Sequence, residues 1–320
     1  MHAALAGNRW YPGDLNKAFQ LYVRHNQDGI DDLMLTSLIE FAVELYKRGI
    51  IGPADTGGLE LDFTLEVFEE LDRMITNRVG IGDILAGGFL EAIRYFGPES
   101  EPYAVHVKGM DPFVDQRYHT SSMLWSQLCN PRGMYGIPGN TPGGFVPGRS
   151  PDAFRRYLLT VGATREESER VVPGKINMPR VLKWAEDFYA LCSALGICAR
   201  QPIIQSYDVD IIAELYSAAT GRTKDRWDIT RDGERIWNIY RQVNAREGFR
   251  RKDDRMPSRL LEPLKDEDAG VEYRAMDYER QTPLTMDDVD RGLTEYYEER
   301  GWDSATGNPT QAKLSGLGIP

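Results

Sequence analysis

The sequence is poor in cysteine, with only Cys129, Cys192 and Cys198 among 320 residues. An odd number at irregular spacing indicates neither a disulfide framework nor a self-sufficient metal site. Long apolar runs are also missing, because the longest, residues 81–90, is interrupted by glycine and aspartate and falls far short of a membrane span. Residues 1–10 lack the basic stretch and apolar core of a secretory signal. We therefore expect a cytoplasmic protein with no membrane span.

Positive charge is scarce relative to negative charge. The chain has 38 Lys and Arg residues against 49 Asp and Glu residues, a formal net charge of −11. Nucleic-acid binding draws on clustered Lys and Arg, so this balance argues against a nucleic-acid partner. The Arg-rich stretch of residues 246–259 is interleaved with Glu247, Asp253 and Asp254, which favours a salt-bridged surface over a nucleic-acid patch.

Apolar residues recur at helical spacing along much of the chain. They form one stripe over residues 32–48, ended by Gly49, and Thr64 can cap a second helix with Glu66 in its first turn. Further helices are predicted over residues 83–96, 179–195, 209–219, 232–246 and 286–300. Only residues 103–107 alternate like a strand. The predicted fold class is mainly α, multihelical, with two packed helical sub-domains and a few short strands.

A loop rich in proline and glycine, residues 130–150, can be neither a helix nor a central strand. A long loop of this kind is either a linker or a functional loop, and we place the domain boundary beside it. The sequence thus predicts one helical domain over residues 1–135 and another over residues 136–320. A second polar loop, residues 262–284, separates the last predicted helix from the body.

Residues 55–59 join two predicted helices through a glycine pair. Gly57 and Gly58 would let the backbone approach a ligand closely, and Asp55 could accept hydrogen bonds from ligand amines, with Leu59 following. A simple turn with a capping aspartate explains the same residues at least as well.

Lys108 follows the predicted short strand and is flanked by carboxylates, Asp111 and Asp115, with Arg117 two residues further on. Such a segment could place a cation over an anionic substrate or cofactor. A charged turn at a strand end is the alternative interpretation.

Two cysteines lie at the end of a predicted amphipathic helix, Cys192 and Cys198. Their spacing does not match zinc sites, and a lone buried cysteine is usually a small apolar residue. Iron–sulfur clusters, however, are commonly held by a close group of cysteines and one remote cysteine. A solitary remote ligand would look like this segment.

Together and in this order, these segments resemble the second and third domains of the aldehyde ferredoxin oxidoreductase family. The resemblance covers most of the chain. It is carried by residues 29–31, 41–46, 55–59, 82, 86–88, 108–111, 195–198, 234–259 and 296–318.

The resemblance implies an oxidoreductase with a tungsten (or molybdenum) bis-pterin and one 4Fe-4S cluster. It implies aldehyde/carboxylate interconversion coupled to ferredoxin or another electron-transfer subunit. Reduction of an aryl-CoA, as in the family's benzoyl-CoA reductase branch, is one alternative, and a cofactor-free helical scaffold homologue is another. The candidate catalytic residues are Lys108, Asp111, Arg117 and Tyr135.

In the family, two Asp-x-x-Gly-Leu motifs contact the two pterins. Residues Asp55 to Leu59 match the first motif fully, including Gly57 and Gly58. The second is matched in part by Gly196 and Ile197, because Ser193 stands where the family has aspartate. Cys198 matches the family's remote fourth cluster ligand.

Departures from the family pattern indicate an incomplete enzyme. The other three cluster cysteines should precede the first predicted helix, yet no cysteine occurs before residue 29. We expect the N-terminal β-rich domain that forms the pterin base to be absent as well. Asp111 replaces the family's glutamate, and Tyr135 replaces a histidine that is its candidate proton donor. We therefore expect another chain or domain to supply the pterin base and the cluster cysteines.

Overall fold

The computed structural model describes residues 7–112, 115, 117, 122–131, 148–198, 207–267 and 269–320. The chain divides into two compact units, Met1–Asp111 and Pro112–Pro320. The boundary expected between residues 135 and 136 lies outside the described residues. Helices dominate both units, which confirms the mainly α fold class. Within the described parts of the chain, no helix is long and apolar enough to span a membrane.

The first unit is a set of short helices around one apolar core. Their bounds are α1 (Leu15–Asp28), α2 (Asp32–Lys47), α3 (Pro53–Thr56), α4 (Leu65–Asn77), α5 (Ile81–Leu85), α6 (Gly88–Phe96) and a 3-10 helix, Pro98–Tyr103.

The second unit is larger and contains the described strands. Its helices are α7 (Ser122–Cys129), α8 (Pro151–Thr160), α9 (Arg165–Val171), α10 (Met178–Ala194), α11 (Val209–Thr220), α12 (Arg226–Arg246), α13 (Met286–Arg300) and α14 (Gln311–Leu317). Two 3-10 turns, Arg251–Asp253 and Ser258–Leu261, precede the antiparallel strands β1 (Leu264–Asp266) and β2 (Val271–Tyr273).

Capping residues fix the helices that position the first unit's core. Asp31 accepts hydrogen bonds from the N–H groups of Leu33 and Met34 at the start of α2. Thr64 accepts one from Val67 at 3.3 Å, which confirms the predicted start of α4. The stripes that follow bury side chains at 0 % exposure, including Ile39, Leu45, Phe68 and Leu71. Burial of each such side chain contributes about 1.5–3 kcal/mol.

Four sequence predictions are wrong in detail. The single helix over residues 83–96 is two helices, α5 and α6, because Gly88 has a φ of 80° at the break. The strand over residues 103–107 is the end of a 3-10 helix and an isolated bridge between Val107 and Met110. The strands lie instead in the predicted loop of residues 262–284. Helix α12 begins at Arg226 rather than at residue 232, because Asp225 caps it.

Helix α10 forms the centre of the second unit and packs against α7, α8, α12 and α13. The close approach of α12 depends on Gly233, where a Cβ atom would lie 2.5 Å from the backbone oxygen of Asp187. A larger residue at this position would force the two helices apart.

Buried ion pairs join the helices of the second unit. Arg300 on α13 donates to Asp187 at 2.8 Å and to Glu186 at 2.6 Å, both on α10, and all three side chains are at most 3 % exposed. Arg241 and Asp254 form a second fully buried pair at 2.7 Å. The prediction of a salt-bridged surface over residues 246–259 is therefore wrong for Asp254, whose carboxylate is an interior partner.

Candidate functional site

The glycine pair of residues 55–59 follows the short helix α3. Gly57 and Gly58 both have positive φ, 68° and 91°, and the N–H of Gly58 donates to the carbonyl oxygen of Pro53 at 2.8 Å. A Cβ atom at either glycine would meet nothing within 4 Å. The turn thus has an open outer side, at which a planar ligand could approach the backbone.

The Asp55 side chain has a local role in this turn. Its carboxylate accepts a hydrogen bond from the N–H of Gly52 at 2.8 Å, and the Thr56 hydroxyl donates to the carbonyl oxygen of Leu59 at 2.6 Å. The geometry therefore shows the capped turn, with Gly57 and Gly58 exposed beside it. Ligand contact by these residues stays a prediction.

The segment of residues 193–198 repeats this arrangement at the end of α10. Gly196 has a φ of 73°, and the N–H of Ile197 donates to the carbonyl oxygen of Cys192 at 2.9 Å. Ser193 and Gly196 are exposed. Each candidate segment is thus a helix end closed by a left-handed glycine.

The exposure of the three cysteines differs sharply. Cys129 and Cys192 are buried, and burial raises the pKa of the Cys192 thiol to about 12. Cys198 is exposed. Because a thiolate is the form that binds metal, Cys198 is the cysteine best placed to act as a ligand.

The turn that carries Lys108 is strained. Lys108 and Gly109 both have positive φ, 54° and 87°, between the bridged residues Val107 and Met110. A non-glycine residue in this region costs about 1–2 kcal/mol. The N–H of Gly109 donates to His106 Nδ1 at 3.2 Å, and the His106 ring stacks on Phe89 with centroids 5.5 Å apart. These contacts hold the turn in place.

Asp111, at the end of this turn, has a perturbed carboxyl group. Burial and then the nearby negative charge of Asp31 raise its pKa to about 6, and a hydrogen bond from Ser37 opposes the shift. The Ser37 hydroxyl donates to Asp111 Oδ2 at 3.1 Å. Asp111 can therefore change protonation state close to neutral pH, as a proton-transferring group requires.

Sequence reasoning missed Asp31 and Ser37 as partners of Asp111. Asp31 lines a cavity of about 360 Å³ with Met34, Arg78 and other residues of the first unit. The sequence is enough to predict Asp31 as the cap of α2. It does not predict that Asp31 lies near Asp111, which is eighty residues later in the chain, about one domain length.

Arg117 belongs to the second unit, where it is held by its neighbours. Its guanidinium donates to Asp115, with the shortest distance 2.6 Å, and to the carbonyl oxygen of Glu262 at 3.3 Å. Its role as a catalytic residue stays a prediction. Tyr135 lies outside the described residues, as does the glycine-rich loop around it.

Over residues 1–319 the chain matches the family described as aldehyde ferredoxin oxidoreductase, domains 2 & 3. The chain belongs to the aldehyde ferredoxin oxidoreductase family. Its relatives include the following two Pyrococcus proteins. A tungsten-containing aldehyde ferredoxin oxidoreductase of Pyrococcus abyssi is 28% identical over 302 residues, covering 91% of this chain and 43% of the relative. The aliphatic sulfonate oxidoreductase, WOR-like subunit, of Pyrococcus furiosus is 27% identical over 306 residues, covering 91% and 40%.

A solved structure shares the fold of this family member. It is the active site complex BamBC of benzoyl coenzyme A reductase in complex with 1,5 dienoyl-CoA, which is 21% identical with a TM-score of 0.71. The likeness covers 99% of this chain and 48% of the solved chain. The chain thus spans less than half the length of these relatives.

The family's cofactors differ in how well they fit this chain. A 4Fe-4S cluster needs four ligands, and among three cysteines only Cys198 is exposed. In the described ranges, no three His, Cys, Asp or Glu side chains group as a metal site would require. The cluster therefore does not fit this chain alone. The two glycine turns, by contrast, fit the close approach of a pterin to the backbone.

Proposed function

We propose that this chain is the part of a tungsten-dependent oxidoreductase that corresponds to domains 2 and 3 of the family. The observation that carries the proposal is the match of residues 1–319 to the family's domains 2 & 3. The two helix-end glycine turns are the segments that we propose as its two pterin-contacting motifs. The remaining part of the family's length, with the pterin base and three cluster cysteines, would belong to a partner chain or a further domain.

Each turn, taken by itself, would contact one of the two pterins. Gly57 and Gly58 leave room for the ring system, and Asp55 would accept hydrogen bonds from pterin N–H groups. Gly196 and Ile197 would do the same at the second turn, where Ser193 offers a hydroxyl in place of a carboxylate. When bound, the tungsten or molybdenum bis-pterin supplies the two-electron redox chemistry.

Asp111 is the proton-transferring group that we propose for this chain. Its carboxyl group, with a pKa near 6, can release a proton and take it back at neutral pH. Lys108, in the same turn, would add a positive charge to attract an anionic group of the substrate or cofactor. Arg117 and Tyr135 complete the proposed set.

Cys198 would be this chain's single contribution to a 4Fe-4S cluster, and ferredoxin or another electron-transfer subunit would receive the electrons. Aldehyde/carboxylate interconversion is the proposed reaction, in line with the names of the sequence relatives. Aryl-CoA reduction is the second candidate, favoured by the benzoyl coenzyme A reductase structure that shares the fold. Assays of the assembled enzyme with an aldehyde and with benzoyl-CoA, using a viologen dye as redox partner, discriminate the two.

A cofactor-free scaffold is the third candidate, favoured by Ser193 in the second motif and by the burial of Cys129 and Cys192. The test is co-expression of this chain with the flanking reading frames, followed by metal quantification of the purified complex. Tungsten or molybdenum together with iron in the complex supports the enzyme. A stable, colourless and metal-free chain that binds no metal-bearing partner supports the scaffold.

A further inference from the structure

An apolar groove lies on the second unit where the C-terminal end of α10 meets α11 and α12. Its volume is about 250 Å³, and its walls include Leu195 from α10, Tyr216 from α11, and Ile236 and Ile239 from α12. Leu195 and Ile239 are each 39% exposed. Large apolar side chains at this exposure on both walls of one groove are typical of an interaction site.

The same two helices carry further exposed apolar side chains that do not line the groove. On α12, Val243 is one turn beyond Ile239 and is 48% exposed. On α11, Ile211 and Leu215 are one turn apart and are 40% and 52% exposed. These are exposed apolar residues of the two helices that line the groove, outside the lining itself.

Arg235 adds a charged group to this apolar lining. Within residues 7–112, 148–198, 207–267 and 269–320, no hydrogen bond or ion pair engages its guanidinium, whereas the neighbouring Asp232 is paired with Lys224. A partly buried guanidinium between apolar walls is stabilised by a carboxylate that approaches it with bidentate geometry. The groove therefore suits an apolar segment that also carries an acidic side chain.

The groove adjoins the turn that carries Cys198. Leu195 on its wall directly precedes Gly196, and α10 ends at Ala194, which also lines the groove. A polypeptide seated in the groove would therefore contact the segment that presents the proposed cluster ligand. The occupant must be able to place its own groups beside Cys198.

The family relationship points to one occupant. The chain matches domains 2 & 3 and covers only 43% of the Pyrococcus abyssi relative, so more than half of that relative has no counterpart in this chain. We infer that the groove is the docking site for the polypeptide that carries this unmatched part of the family's length. That polypeptide would insert apolar side chains between Leu195 and Ile239 and place a carboxylate on Arg235. The inference rests on the proposed function.

The test is the affinity of the full chain for that polypeptide, measured by isothermal titration calorimetry or analytical ultracentrifugation. Ile239→Asp and Arg235→Glu should each weaken binding by roughly tenfold or more, because both remove contacts central to the interface. Leu159→Asp is the matched control, since Leu159 is 37% exposed on α8 and does not line the groove. Circular dichroism should show that all three variants remain folded.

Hydrogen exchange of the complex provides the second readout. The account predicts new protection at residues 194–197 and in α12 around Ile239. A complex that forms and holds metal, yet is unaffected by both groove variants and is protected elsewhere, overturns the docking inference and leaves the proposed function standing. Failure of any complex to form overturns both. If the chain alone self-associates and Ile239→Asp abolishes that self-association, the occupant of the groove is a second copy of the chain. This result would also overturn the inference.

Discussion

Asp111 is a carboxyl group whose charge is disfavoured by burial and by Asp31, with a pKa near 6. In the unfolded chain the pKa of an aspartate is about 3.9. The folded state therefore loses stability as pH rises from about 4 to about 6, and the loss is complete above pH 6. Asp111→Asn should therefore stabilise the chain by about 1–2 kcal/mol at pH 7.5 and have little effect below pH 4. Urea unfolding at the two pH values measures this difference.

The matched variant for this prediction is Ser37→Ala. The Ser37 hydroxyl donates to Asp111 and lowers its pKa, so removing the hydroxyl should raise that pKa further above 6. Carbon-13 NMR titration of the Asp111 carboxyl group reports the value directly. A titration midpoint near 4 in the wild-type chain would contradict the account.

His25 is a fully buried histidine between two carboxylates. Its Nδ1 lies 2.5 Å from Asp32 and its Nε2 lies 3.2 Å from Asp72. Burial alone would lower the pKa, but the hydrogen bonds to Asp32 and Asp72 outweigh it and raise the pKa to about 9. The imidazolium therefore ties α1 to α2 and α4 at neutral pH.

The His25 pKa predicts how stability depends on pH. Because the folded-state pKa lies above the unfolded value near 6.5, the stabilisation is fully present below pH 6.5 and disappears as pH rises through 9. It amounts to about 3 kcal/mol. His25→Gln should abolish this dependence, as measured by urea unfolding at pH 6 and pH 9.5. If the free energy of unfolding changed equally with pH in the wild-type chain and in His25→Gln, the proposed role of His25 would be refuted.

For single residues, the sequence predicts candidate functional side chains but not the residues that contact them. Asp111 was predicted from its place beside Lys108 in a charged segment, but the groups that perturb it come from α2. In the same way, the sequence placed Cys192 and Cys198 at a helix end, and only their burial distinguishes them. Tertiary proximity sets both properties, and no local pattern encodes it.

The packing of α12 against α10 in the second unit depends on a small residue, Gly233. A Cβ atom there would lie 2.5 Å from the Asp187 backbone oxygen and would separate α12 from α10. Gly233→Ala should lower the free energy of unfolding by about 1–3 kcal/mol, despite the better helix propensity of alanine. Chemical denaturation measures the change.

Gly316→Ala in α14 is the matched control for this prediction. A Cβ atom there would meet nothing within 4 Å, so the substitution should be neutral or stabilise by up to about 1 kcal/mol. Similar destabilisation by both substitutions would mean that helix packing at Gly233 is not the cause.

Helix bounds followed the sequence wherever a cap accompanied the apolar stripe. Helix α13 spans Met286–Arg300 as predicted, since Thr285 and Asp288 form a reciprocal cap at its start. Helix α12 was predicted too short because its first turns carry charged residues that hide the apolar period. The β1–β2 pair lies in polar sequence, and backbone pairing rather than side-chain alternation defines it.

The interior of the second unit contains ion pairs that join its helices and stabilise the unit. Arg300 is fully buried against Glu186 and Asp187, and burial raises the pKa of Glu186 to about 7 although Arg300 lowers it. Arg300→Met leaves Glu186 without its cation, whereas Asp187 keeps its ion pair with Lys183 at 3.2 Å. The substitution should destabilise the chain by about 3–5 kcal/mol. Thermal and urea unfolding give the value.

Arg165→Met provides the comparison for Arg300→Met. Arg165 pairs with Glu169 on the surface, where both side chains are more than half exposed, so its loss should change stability by no more than about 0.5 kcal/mol. If Arg300→Met also fell within that range, the interior network would not hold the unit together.

Fold class and family followed from the order of segments, whereas the buried charge network did not. Tyr296, Arg300 and Trp302 resemble the family's C-terminus, but only the structure shows their interior partners. Tyr296 donates to Glu186, Arg300 donates to Asp187, and the Trp302 indole N–H donates to Asn238. From sequence alone, a charged residue is predicted to lie on the surface, because the oppositely charged residue that pairs with it in the interior is far away along the chain. Asp254 misled the prediction because its partner, Arg241, lies on α12, outside the charged stretch of residues 246–259.

Metal analysis tests the central proposal most directly. This proposal is that Cys198 supplies one ligand to the 4Fe-4S cluster of an assembled tungsten enzyme. The measurement is the iron and tungsten or molybdenum content of the complex between this chain and its partner, with Cys198→Ser and the buried control Cys192→Ala. The account predicts metal in the wild-type and Cys192→Ala complexes and loss of iron in Cys198→Ser. A metal-free wild-type complex, or unchanged iron in Cys198→Ser, would contradict it.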